Sequence, residues 1–205
     1  MIGACRHTSL LLAGLIAVMA LGACKTVRPY DYSREPDPRN DKRGYVIGPA
    51  DQLRITVWGH TDLTTTGVVR PDGVITMPIV GDIKASGRNT KQLRDEIKSR
   101  LGKFYKEATL TVTVAVTNVV SYRFTVSGAV SRPGLFTSSR FVTVQEAIAM
   151  AGGPTRFAKA DLAVIVRRGR HGKVRRIPID YPAIASGRAP EQNLVLLRGD
   201  VVHIP

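Results

Sequence analysis

Three groups of residues in this 205-residue chain have types and spacings that could do chemistry. The first is Leu21-Gly22-Ala23-Cys24, which closes an apolar run from Ser9 to Ala20 that begins shortly after the positive charge of Arg6. Small residues ahead of a cysteine fit a signal peptidase that cuts before Cys24 and leaves its thiol acylated. The run is about a dozen residues, short of the roughly 20 that a spanning helix needs, so it reads as a signal core rather than a membrane anchor. Residues 1–23 are expected to be a lipoprotein signal peptide, and Cys24 the lipidated first residue of the mature chain. The second group is Arg167, Arg168, Arg170, Lys173, Arg175 and Arg176, crowded around a Gly169-to-Gly172 turn with no acid among them. Concentrated positive charge attracts carboxylate, sulfate or phosphate, and salt weakens the attraction. These six are the candidate binding residues for an anionic polymer or lipid headgroup; the alternative is a soluble hairpin whose charge serves no partner. The third group, His60-Thr61-Asp62, could be a pair of metal ligands, but no second cluster accompanies it and a solvent-facing turn is the simpler reading. His171 and His203 have no paired nucleophile, and no Gly-x-Ser-x-Gly elbow, phosphate-binding loop or zinc spacing occurs. The expectation is a protein that is not an enzyme, with no catalytic residue, no metal and no cofactor.

Composition narrows the partners. Of two cysteines, Cys5 leaves with the signal and Cys24 is acylated, so none remains for a disulfide or a thiolate site. What remains is long enough for one or two modest domains with ordinary cores. A formal charge of +14 would suit phosphate contacts. Nucleic acid is nevertheless excluded as a partner, because export removes the chain from it and the basic turn lacks interleaved aromatics for base stacking. An acylated cysteine carries the chain to a membrane surface. Lys25 stands where, in the sorting rule of enteric bacteria, aspartate would retain a lipoprotein at the inner membrane, so lysine favours the outer membrane.

The elements that must position these groups follow from turn chemistry and periodicity. Residues 24–43 are rich in proline and in charge of both signs, and read as a linker, or as an arm that packs on a neighbouring subunit. Gly48-Pro49-Ala50-Asp51 is a turn, and the alternation of Leu53, Ile55 and Val57 with Arg54 and Thr56 predicts a strand after it. Val68 to Arg70 and Val74 to Met77 flank Pro71-Asp72-Gly73 as a hairpin would, and Ile83 to Gly87 reads as a further short strand. Thr90 can cap a helix through about Tyr105, with Leu93, Ile97, Leu101 and Phe104 on one face, and Thr109 to Thr117 predicts another strand.

A second region opens near Tyr122, with a strand at Phe124 to Val126, a turn at Arg132-Pro133-Gly134 and a return at Leu135-Phe136. Thr143 and Glu146 form a capping box, and Gly152-Gly153-Pro154 ends the helix that it starts. Because that glycine pair closes a helix instead of opening one, it is not an anion cradle. Leu162 to Val166 should pair with Val174 to Ile179, Tyr181 to Gly187 makes a helical turn or two, and Arg198-Gly199-Asp200 is a turn before the last strand.

The order of these signals resembles the outer-membrane polysaccharide export lipoprotein family. The resemblance rests on Tyr45-x-Ile47-Gly48-Pro49-x-Asp51, Arg70-Pro71-Asp72-Gly73 and Pro78-x-x-Gly81-Asp82, and it continues through Val126-x-Gly128-Ala129-Val130-x-x-Pro133-Gly134 and the Thr143 to Gly153 helix. Ala50 departs from it, standing where the family usually has a second glycine. The resemblance implies an α+β protein: a small strand-rich polysaccharide export domain with one packed helix over residues 44–119, then a soluble-ligand-binding β-grasp domain over residues 120–205. It implies a component of an exopolysaccharide or capsule export apparatus, lipid-anchored at the periplasmic face of the outer membrane; the alternative is a polysaccharide-binding or assembly lipoprotein that forms no conduit. The implied partners are further copies of the chain in an oligomeric ring, the exported polysaccharide, an inner-membrane polysaccharide co-polymerase and a separate outer-membrane pore protein. The last is one of two alternatives, because family members that make their own pore carry a long amphipathic helix after the final β-domain and Pro205 ends this sequence without one: either another protein supplies the pore, or the ring acts only below the membrane.

Overall fold

Alternating apolar residues build the sheets, and which strands meet depends on which apolar faces find a core. The structure is a computed structural model that describes residues 29–105, 110–169 and 172–205. Strand β1 (Gln52–Val57) buries Leu53, Ile55 and Val57 on one face, as its period of two requires. It lies at the centre of a three-stranded antiparallel sheet, between β2 (Thr65–Val68) and β5 (Val112–Asn118). Strands β3 (Val74–Met77) and β4 (Gly81–Lys84) form a separate antiparallel ribbon. Helix α1 (Thr90–Leu101) buries Leu93, Ile97 and Leu101 into a core shared with Ile47, Ile75 and Ile83.

The Pro71-Asp72-Gly73 turn forms, with the Gly73 amide donating to the Arg70 carbonyl at 2.8 Å and the Arg70 amide to the Val74 carbonyl at 2.9 Å, but the strands on either side do not continue this as a hairpin. Strand β2 goes to β1 and β3 goes to β4. Two more expectations shift. The cap of α1 is Asn89, in a reciprocal box with Gln92, rather than Thr90. The helix ends at Leu101 with Gly102 as its C-cap, which leaves Phe104 outside it and 64% exposed. Of the strand expected at Thr109 to Thr117, Thr109 lies outside the described residues, and β5 runs from Val112.

The second region is a five-stranded sheet of order β7-β6-β10-β8-β9, formed by β6 (Arg123–Gly128), β7 (Gly134–Thr137), β8 (Ala163–Arg168), β9 (Val174–Ile179) and β10 (Val201–Ile204). The last strand enters the middle, parallel to β6 and antiparallel to β8, as a β-grasp arrangement demands. Helix α2 (Val144–Met150) starts at the expected Thr143–Glu146 box and buries Val144, Ala147 and Ile148. Helix α3 (Tyr181–Ala185) is capped by Asp180. Pro178 is tolerated within β9 because β9 is an edge strand. The chain is α+β, and Asp31–Pro205 forms one compact unit.

The segment read as a linker differs most from expectation. Tyr32–Arg34 and Pro38–Asn40 are short 3-10 turns capped by Asp31 and Asp37, and the Tyr32 hydroxyl donates to the Pro178 carbonyl at 2.8 Å. Residues 31–40 are thus a strap on the chain's own second sheet. Composition alone reads as linker here because the strap is held by polar contacts, with no buried residue in either turn.

Ala50 takes a left-handed φ of 72° at an exposed position, a conformation that a β-carbon disfavours. Ala50→Gly should stabilise the protein by about 0.5 to 1 kcal/mol, after allowance for the extra freedom of glycine in the unfolded chain. Urea denaturation checks this, and an unchanged or lower midpoint would show that the turn carries no strain.

Candidate functional site

The motif Tyr45-x-Ile47-Gly48-Pro49-x-Asp51 folds around a single carboxylate. Asp51 is fully buried and accepts five hydrogen bonds. Its Oδ2 takes the Tyr45 hydroxyl at 2.6 Å, the Gly48 amide at 2.8 Å and the Ser121 hydroxyl at 2.8 Å. Its Oδ1 takes the amides of Val120 at 3.0 Å and Ser121 at 2.7 Å. The carboxylate therefore ties the turn before β1 to the chain just ahead of β6, and so one sheet to the other. Gly48 has to be glycine: a β-carbon there would stand 2.0 Å from an Arg198 guanidinium nitrogen and 2.6 Å from the Ser121 β-carbon. Arg198 crosses this point to donate to the Val46 carbonyl at 2.8 Å, a second tie between the regions.

Burial pushes the Asp51 pKa upward, but the hydrogen bonds from Tyr45, Gly48 and Ser121 outweigh it and hold the carboxyl below its ordinary value. Burial first, and then the hydrogen bond to Asp51, push Tyr45 up to about 12. Tyr45 also lines an open groove with Tyr122 and Phe141, whose rings meet edge to face at 5.5 Å, while Asp51 lies buried behind it.

The basic cluster is divided by the fold. Arg167 is buried, its side chain 3% exposed, with Nε and Nη2 on the Asp200 carboxylate, the closest contact 2.6 Å. Its Nη1 donates to Glu35 of the strap at 2.8 Å, and Arg175 grips the same carboxylate through Nη1 and Nη2 at 2.9 and 3.0 Å. Burial disfavours the Arg167 charge, yet Asp200 and Glu35 raise its pKa above the ordinary value. Arg167 is thus turned inward, contrary to its reading as a surface residue, because the chain brings two acids to it from far away in sequence. Arg168, Lys173 and Arg176 are exposed on the hairpin with Arg175, while Arg170 and Cys24 lie outside the described residues. The Arg198-Gly199-Asp200 turn is structural, since Asp200 also accepts the Leu197 amide at 2.7 Å.

His60 stacks edge to face on Tyr105 with centroids 4.8 Å apart. No cluster of three or more potential metal ligands occurs among the described residues, and no described helix is long and apolar enough to cross a membrane. Asp51 and Asp200 were the residues that sequence reading left without a role. Each lay in plain view inside a motif, but a buried carboxylate and an exposed turn aspartate look the same in one dimension.

Residues 39–115 match the polysaccharide biosynthesis/export protein family, and residues 123–178 match the SLBB domain. The chain thus carries a polysaccharide biosynthesis/export segment followed by an SLBB segment. The EPS I polysaccharide export outer membrane protein of Ralstonia nicotianae is 29% identical over 184 residues, spanning 78% of this chain and 47% of that protein. The polysialic acid transport protein of Escherichia coli is 25% identical over 175 residues, 78% of this chain and 30% of that one. The capsule polysaccharide export protein of Haemophilus influenzae is 26% identical over 182 residues, 78% and 44% respectively. The chain spans less than half the length of these relatives. The two matched segments meet at the Asp51 junction, which lies in the first and bonds to residues just ahead of the second.

Asp51→Asn should cost about 3 kcal/mol, because the amide loses the charge and turns donors toward donors. The pH dependence has two arms. Asp51 has a depressed folded pKa, so its stabilisation is complete at neutral pH and is lost as pH falls below the ordinary value of 3.8. Tyr45 has a raised one, so its stabilisation is complete below pH 10.0 and is lost as pH rises toward about 12. Chemical denaturation across pH reads both arms, and a variant as stable as the parent would remove Asp51 from its structural role.

Proposed function

We propose that this chain is a non-catalytic lipoprotein component of an exopolysaccharide or capsule export apparatus, anchored through Cys24 at the periplasmic face of the outer membrane. It works there as a homo-oligomeric ring that passes the polymer, and it has domains at residues 44–119 and 120–205. An inner-membrane polysaccharide co-polymerase delivers the polymer, and a separate outer-membrane protein takes it onward. The observation that carries the reading is the succession of an export segment and an SLBB segment in one chain, joined by a buried carboxylate. The relatives are named for export of capsule, polysialic acid or EPS I polysaccharide, and three that span most of this chain share that theme. A ring builder needs its two regions at a fixed angle, since an error in one subunit is repeated around the circle. The bonds from Val120 and Ser121 to Asp51, with Arg198 beside them, supply that rigidity.

A clean deletion in a strain without a second copy should abolish surface polymer. The native gene should restore it and a Cys24→Ser gene should not. Native mass measurement of the detergent-extracted protein should give a closed multiple of the subunit. Surface polymer that survives deletion overturns the export reading, and a monomer overturns the ring.

A further inference from the structure

The Glu35 carboxylate is 1% exposed and sits in a cradle between Arg175 and Arg167, the second of which does not depend on it for its position. Asp200 and the Val195 carbonyl already fix Arg167 through Nε and Nη2, leaving Nη1 aimed outward as a fixed donor. Arg175 adds a planar fork from the edge strand β9, the geometry that recognises a carboxylate with both oxygens. Beside the cradle, a cleft of about 550 Å3 runs between the strap and the basic hairpin, lined by Pro36, Arg43, Arg167, Arg168 and Arg175. The strap acids on its wall, Asp37 and Asp41, each carry their own arginine, Arg39 at 2.7 Å and Arg43 at 2.7 Å. Arg168 makes no ion pair among the described residues, so the cleft keeps a guanidinium to spare.

We propose that Glu35 is the built-in occupant of a carboxylate-binding site, and that a carboxylate-bearing sugar unit of an acidic polysaccharide displaces it and settles into the adjoining cleft. This rests on the polysaccharide export reading and adds a substrate class to it. Displacement releases the strap from β9, so polymer at the second sheet is felt by the segment that leads back to the amino terminus. The strap is suited to exchange because polar bonds contribute to its hold, among them the Glu35 pairs and the Tyr32 hydroxyl on Pro178. Charge-assisted bonds of this kind can be traded for equivalent ones without uncovering an apolar core.

The test is calorimetric titration of the full lipidated chain in detergent with trigalacturonate, with maltotriose as the neutral control. Glu35→Gln keeps the shape of the strap but removes the competing charge, and should tighten trigalacturonate binding about tenfold. Adding Arg175→Gln should erase that gain. In the unaltered chain, saturating trigalacturonate should expose the amides of Ser33 and Glu35 to hydrogen exchange, a readout that needs no variant. Equal affinity of the parent and Glu35→Gln, an equal gain for maltotriose, or strap amides unchanged at saturation would each overturn the proposal. A gain confined to phosphatidylglycerol vesicles would also overturn it, and would assign the cradle to lipid headgroups. Because binding is measured on purified protein, its failure is distinct from survival of surface polymer in the deletion strain.

Discussion

One buried carboxylate holds the two halves of this protein in register. A carboxylate moved from water to a buried site loses its hydration, and it stays ionised only if enough donors converge on it. Asp51 gathers five of them, three amides and two hydroxyls, drawn from the turn before β1 and from the residues ahead of β6. The donors are themselves fixed. Gly48 is pressed beneath Arg198, and Tyr45 is within 2.9 Å of the Ser121 hydroxyl. Take the carboxylate away and three amides and two hydroxyls lose their common partner, and the two sheets the tie between them. The core of the first region and the core of the second would each survive as hydrophobic bodies, with the Arg198 bond to the Val46 carbonyl left as a tie between them.

The second buried ion network acts on a different scale. Arg167 joins β8 to the turn before β10 and to the strap, binding together segments far apart in the chain. Buried pairs of this kind add little net stability over apolar packing, but they are severe about geometry, since leaving one partner alone is costly. The strap is therefore positioned rather than strongly held. The network also means that the positive charge on the hairpin is smaller than the sequence suggests, because part of it is already answered within the chain.

Much of the fold was legible in the sequence because turns and caps are local. The Thr143–Glu146 box, the Pro71–Gly73 turn and the Leu162–Ile179 hairpin each announce themselves within a few residues. Pairing was not legible in the same way. That β2 turns back to β1 while β3 goes to β4 depends on which apolar faces find a core, a property of the assembled molecule. The candidate site was legible as a motif and opaque as a mechanism: Tyr45, Gly48 and Asp51 stood out by spacing, but their target at Ser121 lies in another part of the chain. The cluster of arginines was visible as charge, and its division into inward and outward members was not. Glu35 and Asp200, which make that division, are separated from Arg167 by long stretches of sequence.

The central claim is that the Asp51 junction makes both sheets one cooperative body. Native-state hydrogen exchange tests it most directly, through the amides of Val120 and Ser121 at the junction, Ile55 in the first sheet and Phe124 in the second. The account predicts that all four open only with global unfolding, with a common free energy and a common denaturant dependence. Junction amides that exchange by a local opening, or two sheets that unfold at clearly different free energies, would contradict it.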